Sequence, residues 1–220
     1  MSNEDFDSLG SFEPVMLSLR EQLEPSGEGA VHIYFLEDGI ASVVVETDGK
    51  PVAELGVVGR EGFVGHGVVY GDVGTPFQVF MQAGGMAHRF DRKRVEAAIA
   101  ERSGVRSLLL RYVRSFSIQV ATTALANGRS SLDERLCRWL LMVSDRIGPS
   151  FNITHEFISV MLAVRRSGVT LAVQVLEGKG LIRATRGSIS ILDRGGLITA
   201  ANGAYGFAER EYERLLGAQS

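Results

Sequence analysis

The stretch FISVMLAVRRSGVTLAVQVLEGKGLI, residues 157–182, contains two short segments separated by the polar pair Arg165-Arg166. In each segment apolar residues recur every three or four positions, which is the spacing of one buried helix face. The small residue Ala163 between the segments allows a second helix to cross the first closely. The stretch therefore predicts a helix-turn-helix. Periodicity alone leaves open whether the arginine pair belongs to a DNA-binding surface or to a solvated corner between two core helices.

The second helix is predicted to span residues 166–177, and its outward face is found by removing the buried positions. The apolar side chains that face inward are Val169, Ala172, Val173 and Leu176. The positions that remain are Arg166, Ser167, Thr170, Leu171 and Gln174, and Arg165 adds positive charge just before the helix. Arginine can pair with guanine, glutamine with adenine, and leucine or a threonine methyl can contact the methyl group of thymine. This face has the chemistry of a helix that binds in the major groove.

The neighbouring segments complete a recognisable plan. SLDERLCRWLLMVSDRIG, residues 131–148, predicts a helix that begins after a serine and ends at Gly148. LIRATRGSISILD, residues 181–193, predicts two strands around a tight turn at residues 185–188. Three helices followed by a hairpin are the plan of a winged helix.

The first half of the chain has a different pattern. From about residue 15 to residue 90 the segments are short, rich in β-branched and aromatic residues, and interrupted by glycine. The dipeptides Asp38-Gly39 and Asp48-Gly49 are strong hairpin signals. This half is predicted to be an antiparallel β-sandwich or β-roll.

A long helix is predicted between the two halves, over residues 105–127, where neither proline nor glycine occurs. Its seam, which has an approximate heptad spacing, contains Leu108, Tyr112, Phe116, Gln119 and Thr123. A stripe this broad can face both its own domain and a partner helix, so these residues are predicted to form a dimer interface. The alternative is a helix that packs only within its own chain.

Charge is divided unevenly along the chain. The formal net charge is −3, yet residues 1–60 carry twelve acidic and three basic residues, whereas residues 151–194 carry six basic and three acidic residues. A polyanionic partner is therefore expected to bind the second half.

Several classes of protein are not indicated. No apolar run approaches the length of a membrane span, and the acidic beginning MSNEDFDSLG lacks the regions of a signal peptide, so a cytoplasmic protein with no membrane partner is expected. Cys137 is the only cysteine, and the four histidines are scattered, so no metal site is predicted. The sequence has no nucleophile elbow, catalytic triad or carboxylate pair, so neither enzyme activity nor a cofactor is predicted.

Several stretches of the sequence resemble one family of proteins. The stretch at 131–148 and THEFISVMLAVRRSGVTLAVQVLEGKGLIRATRGSISILDR, residues 154–194, resemble the C-terminal half of Crp/Fnr-type bacterial transcription regulators. Upstream, HIYFLEDGIASVV, VGREGFVG and the long helix resemble that family's β-roll sensor domain and dimerisation helix. The resemblance covers most of the chain, and the helix-turn-helix is its most specific part.

The resemblance implies a homodimer that places two recognition helices in successive major grooves of a near-palindromic operator in double-stranded DNA. It implies base contacts for Arg166 and Ser167, and a third for Leu171, where the founding members of the family have arginine. Thr154 is a good N-cap for the first helix. Thr154 and Arg186, at the start of this helix and at the wing tip, are suited to phosphate contacts.

The sensor half departs from the family's cyclic-nucleotide binders, in which a glutamate holds the ribose and an arginine–serine pair clamps the phosphate. Here His66 follows Gly65, and the phosphate stretch reads Gly74-Thr75-Pro76-Phe77. Residues 61–88 contain no lysine or arginine to compensate a buried phosphate. An effector pocket is expected at Gly65, His66 and Thr75, with an unidentified small molecule in place of a cyclic nucleotide.

The sequence thus predicts an α+β protein with three parts. These are an antiparallel, jelly-roll-like β-roll sensor domain over residues 11–103, a dimerisation helix over residues 104–128 and a winged-helix DNA-binding domain over residues 129–220. The predicted function is transcription regulation. The alternative is a small-molecule sensor or protein-interaction module whose winged domain no longer binds DNA.

Overall fold

A computed structural model describes residues 3–72 and 74–217 of the chain. The first half consists of a short helix α1, eight strands and a one-turn helix α2. Their bounds are α1 Asn3–Ser8, β1 Glu13–Leu17, β2 Gln22–Glu24, β3 His32–Leu36, β4 Ile40–Thr47, β5 Lys50–Val58, β6 Phe63–Val64, α2 Gly67–Tyr70, β7 Gln78–Ala83 and β8 Gly85–Asp91.

The strands form two antiparallel four-stranded sheets, in the orders β1-β8-β3-β6 and β2-β7-β4-β5. Asp48 and Gly49 make the predicted hairpin turn between β4 and β5, with Thr47 paired to Lys50. Both turn residues have positive φ, 53° and 69°, which is the geometry that an Asp-Gly turn of this type requires. The predicted antiparallel β-roll is therefore confirmed.

Two helices follow the roll, α3 at Arg92–Glu101 and α4 at Ser103–Arg129. Asp91 caps α3, because its carboxylate accepts a hydrogen bond from the backbone N–H of Arg94 at 3.2 Å. The long helix α4 occupies the predicted position between the two halves of the chain.

The last part contains five helices and a small sheet. Its elements are α5 Leu132–Ile147, β9 Ser150–Asn152, α6 His155–Met161, α7 Arg166–Gly178, β10 Ile182–Thr185, β11 Ser188–Ile191, α8 Arg194–Ala200 and α9 Phe207–Leu216. Ser131 begins α5 through a reciprocal capping box with Glu134. The hairpin β10–β11 is joined by β9, in the order β10-β11-β9. The predicted winged helix is confirmed, and β9, α8 and α9 accompany it.

Two apolar clusters stabilise the molecule. One lies in the β-roll and includes α3 and the first half of α4. The other lies in the winged helix, but it also contains side chains of the roll, namely Ile40, Val44, Val57 and Phe80. The two halves of the chain are therefore packed against each other through a shared core, in which Cys137 is also buried.

Within the described ranges, no single helix is long and apolar enough to cross a membrane. The helices α6 and α7 reach the length and apolar composition of a membrane span only when they are counted together, and they meet at an angle of 107°.

Candidate nucleic-acid interface

The helix-turn-helix is held by capping and by a short, tightly bonded turn. The Thr154 hydroxyl oxygen accepts a hydrogen bond from the backbone N–H of Phe157 at 3.1 Å, which caps α6 as its sequence position predicts. Ala163 adopts a left-handed conformation with φ of 51°, so a small residue stands at the sharpest point of the turn. The Arg135 guanidinium donates to the Leu162 carbonyl and fixes the turn to α5.

The second helix of the helix-turn-helix, α7, has one buried face and one open face. Val169, Ala172, Val173 and Leu176 are buried. The predicted outward residues Arg166, Ser167, Leu171 and Gln174 are exposed, as is Arg165 at the N-cap. The structure thus brings these predicted DNA-binding residues together on one surface.

Thr170 is the one predicted outward residue that is half-buried. Its hydroxyl donates to the Arg166 carbonyl at 3.2 Å and lies 3.0 Å from Nδ1 of His155. The side chain therefore links α7 to α6, and this contact was not expected from the sequence.

The positive charges of this surface are accessible. The Arg166 side chain is about 70% exposed and its Nε lies 3.9 Å from Glu156 Oε2, a loose ion pair between two solvated groups. Arg186 is exposed at the tip of the β10–β11 hairpin, and Thr154 is exposed at the start of α6. The backbone N–H of Ile153 donates to the Gly187 carbonyl at 2.9 Å, so the tip of the hairpin lies beside the start of α6.

One residue of this surface was missed by the sequence reasoning. Val175 is 41% exposed, although its apolar character suggests burial. Val175 follows Leu171 by four residues, and residues at this spacing are neighbours on a helix surface. This spacing could have predicted from the sequence that Val175 belongs to the outward face.

Three residues of the predicted seam of α4 need a correction. Tyr112 is buried in the core of the β-roll, and Phe116 and Gln119 are half-buried against the same roll. The Gln119 amide accepts from the backbone N–H of Val57 at 2.7 Å and donates to the Val57 carbonyl at 3.2 Å. A side chain at Gly56 would overlap Gln119 and crowd Phe116, so glycine there permits the close approach.

The remaining seam residues, Leu108 and Thr123, are half-buried. The Thr123 hydroxyl donates to the Gln119 carbonyl one turn earlier, at 3.0 Å. Tyr112, Phe116 and Gln119 therefore face the chain's own β-roll, because the roll offers them apolar contacts and backbone partners. A dimer contact of Leu108 and Thr123 stays a prediction.

A different stripe of α4 is open. It consists of exposed residues that recur at helical spacing, namely Arg106, Ser107, Leu110, Arg114, Ser117, Ala121 and Leu125. Two of them, Leu110 and Leu125, are large apolar side chains, 41% and 58% exposed. We call this stripe the open face of α4.

The β-roll encloses a cavity of about 360 Å³ against α4. Gly65, His66 and Thr75 all line it, so the structure brings the three predicted pocket residues together. Its other walls are largely apolar, and neither lysine nor arginine is among the lining residues. Tyr112 and Phe116 contact the His66 ring from α4.

Two buried polar groups face this cavity. Burial lowers the pKa of His66 to about 4, although a hydrogen bond to the Phe63 backbone opposes this shift. The ring nitrogen Nε2 is buried and has no hydrogen-bond partner. Burial also raises the pKa of Glu24 to about 7, against the opposing charge of Arg92. Because the pKa of His66 is low, its ring is uncharged at neutral pH, and Nε2 remains a hydrogen-bond acceptor without a partner.

No group of three or more metal-ligating side chains is present in the described parts of the chain that could hold a metal ion.

Comparisons with known proteins agree with this architecture. Residues 134–200 match the family model of the Crp-like helix-turn-helix domain. No curated protein sequence matches the chain.

Solved structures of similar fold cover nearly the whole chain. A CRP-family transcriptional regulator from Thermus thermophilus has a TM-score of 0.71 and 20% identity, covering 93% of this chain and 100% of its own. A second regulator from the same organism, of the CRP/FNR family, has a TM-score of 0.71 and 18% identity, covering 88% and 100%. FixK2 from Bradyrhizobium japonicum has a TM-score of 0.73 and 15% identity, covering 86% and 97%.

The winged helix and the family match define the class of protein, a DNA-binding transcription regulator. More particularly, the chain contains a Crp-like helix-turn-helix domain within the fold of CRP/FNR-family regulators. The resemblance drawn from the sequence is thereby confirmed, and a module without DNA binding is not favoured.

Proposed function

We propose that this protein binds a near-palindromic operator as a homodimer in the cytoplasm and regulates transcription there. The proposal includes no catalytic activity. The observation that carries it is the open face of α7, on which Arg166, Ser167, Leu171 and Gln174 are exposed together. A helix with this face and a basic start suits the major groove, while Arg186 and Thr154 are suited to the flanking phosphates.

The test is to select bound sequences from a random pool of duplex DNA with the full-length protein. A near-palindromic consensus is expected, and its affinity should fall steeply with salt because arginine–phosphate contacts release counterions. Failure to enrich any sequence, together with a flat salt dependence, would favour the alternative module and overturn the proposal.

The dimer is proposed to form through the open face of α4. Leu110 and Leu125 expose apolar surface along one side of a long helix, and a second copy of the same helix would cover it. The double variant Leu110→Glu/Leu125→Glu should then sediment as a monomer. Its operator affinity should fall by about two orders of magnitude or more, since two linked half-sites bind far more tightly than one.

Asn127→Glu is the matched control for the dimer. Asn127 is exposed on α4 but lies off the open face, so this variant should remain a dimer. A double variant that still sediments as a dimer would place the interface elsewhere.

The cavity of the β-roll is proposed to bind an uncharged, largely apolar effector. The free acceptor Nε2 of His66 would take a hydrogen bond from a hydroxyl or N–H of that molecule. A cyclic nucleotide does not fit this proposal, because no cationic side chain lines the cavity to compensate its phosphate.

Calorimetry at neutral pH should therefore detect no binding of cyclic AMP or cyclic GMP. Phenol, as a neutral probe with one donor, should raise the unfolding temperature of the wild type more than that of His66→Phe. Micromolar binding of either nucleotide, with a matching rise in DNA affinity, would overturn this part of the proposal.

A further inference from the structure

The centre of the outward face of α7 is apolar and carries no charge. Leu171 is 63% exposed, and Val175 lies beside it one turn later. The charged residues of the helix stand at its two ends. Arg166 begins it, and Glu177 near its end accepts a hydrogen bond from the backbone N–H of Ala184 at 2.7 Å. Leu171 and Val175 therefore form a continuous apolar patch, which we call the leucine patch.

A leucine at this position discriminates between bases because the major groove contains few apolar groups. The edges of guanine, cytosine and adenine present only hydrogen-bond donors and acceptors there, whereas thymine adds a C5-methyl group. Pressing leucine against a donor or acceptor would remove water from that polar group without replacing its hydrogen bond. Contact with a methyl group removes only apolar surface from water and is favourable.

We propose that Leu171, supported by Val175, recognises a thymine methyl group in each half-site, so that the operator has an A·T pair opposite the leucine patch. This inference rests on the proposed DNA-binding function. The recognised chemical feature is the methyl group at C5 of a pyrimidine. Cytosine methylated at C5 presents the same methyl in the same place and should substitute for thymine in this contact.

The experiment uses the full-length protein and the operator selected from the random pool. At each thymine of a half-site, deoxyuridine replaces thymidine, which removes the methyl group and keeps base pairing. At the one thymine that contacts the leucine patch, this substitution should weaken wild-type binding about fourfold per half-site. This factor corresponds to the burial of one methyl group. With both half-sites substituted the loss should be roughly fifteenfold if the two contacts are independent.

Protein variants test whether the preference for thymine over uracil comes from the leucine patch. Leu171→Ala should bind the thymine and uracil operators equally, and should bind the thymine operator less tightly than the wild type does. Gln174→Ala, altered on the same exposed face, is the control and should keep the preference for thymine over uracil. At a position where cytosine replaces thymine, methylation of that cytosine should restore affinity for the wild type and not for Leu171→Ala.

The outcomes separate the inference from the proposed function. A selected operator that binds equally with thymine and uracil at every position would overturn the methyl contact and leave DNA binding intact. A preference for thymine that persists in Leu171→Ala would also overturn it. If no sequence is enriched, the proposed function fails and the inference fails with it.

Discussion

Two helices of the winged domain, α5 and α7, use arginine in opposite ways. In α5, the Arg146 side chain is only 10% exposed and its guanidinium lies 2.6 Å from the Glu61 carboxylate of the β-roll. It also donates to the Met142 carbonyl at 2.7 Å. Arg138 is buried in the same helix. In α7, Arg166 is exposed, and its nearest carboxylate stands 3.9 Å away.

The difference shows that the partner of an arginine decides its role. A guanidinium that is held between a carboxylate from another part of the chain and a backbone carbonyl joins those two parts, and the donors that it uses in these contacts cannot turn to a ligand. An exposed guanidinium with a loose partner contributes little to stability, and its donors can turn to a base or a phosphate. Substitutions in α5 are therefore expected to change stability, and substitutions in α7 to change DNA affinity.

The largest effect is expected from Arg146→Ala. Removing the guanidinium leaves the Glu61 carboxylate largely buried without its partner, which costs about 3–5 kcal/mol of unfolding free energy. Urea unfolding followed by circular dichroism would measure the loss. Arg214→Ala is the control, because Arg214 pairs with Glu211 at 2.7 Å in an exposed ion pair, and little change is expected there. Equal losses in the two variants would contradict the contrast between buried and exposed pairs.

A second effect on stability is expected from Glu54, which lies between the same two parts of the chain. Its Oε1 accepts a hydrogen bond from Trp139 Nε1 of α5 at 2.8 Å. Burial raises the pKa of Glu54 to about 7, opposed by hydrogen bonds from Ser42 and Trp139 and by the charges of Arg138 and Arg146. The folded state therefore binds the proton more tightly than the unfolded chain does.

The sign of the pH dependence follows from this difference. Between pH 4.5 and 7 the carboxyl is ionised in the unfolded chain and protonated in the folded one. The contribution of Glu54 to stability therefore falls as pH rises through this window, by roughly 3 kcal/mol in all. Glu54→Gln keeps an acceptor for Trp139 and cannot titrate, so its stability relative to the wild type should rise over the same window and level off above pH 7.

Unfolding titrations of both proteins at several pH values would test this. The lowered pKa of His66 gives a slope of opposite sign, with stability lost as pH falls from 6.5 to 4, but it is present in both proteins and cancels in the difference. Parallel pH profiles for the wild type and Glu54→Gln would show that Glu54 ionises normally.

The smallest effect on free energy is expected from Arg166→Ala, and it should appear in binding alone. Losing a base contact at the helix start should weaken operator binding by ~1–3 kcal/mol and relax the sequence preference at one base pair. The unfolding free energy should stay unchanged, since the side chain is exposed. Lys179→Ala, which removes a positive charge at the other end of α7, should keep the sequence preference. Unchanged affinity and preference in Arg166→Ala would show that this arginine is only solvated.

The sequence predicted α7 well because this helix packs on one side only. Its apolar residues form a single stripe, so subtraction gives the outward face directly, and only the bonded Thr170 and the exposed Val175 differ from expectation. The hairpin turn at Asp48-Gly49 and the N-cap at Thr154 could also be predicted from the sequence, because each depends on residues that are neighbours in the chain.

The orientation of α4 could not be read in the same way. The helix contacts the roll on one side and α9 on another, and several of its stripes are apolar enough to be buried. Which stripe meets the roll depends on distant residues such as Gly62, where any side chain would overlap the Tyr112 ring. The pairing of Glu54 with Trp139 joins residues 85 positions apart, and no local pattern indicates it.

The core shared by the two halves of the chain has a consequence for folding cooperativity. Phe80 of the roll meets Phe157 of α6 edge to face, with ring centroids 6.3 Å apart, in the contact region that also contains Val57 and Val44. Separating the halves would expose these side chains to water, so neither half keeps its full stability alone. Calorimetry should record one melting transition for the whole chain, and a fragment beginning at residue 129 should melt earlier and self-associate through the bared aromatic surface.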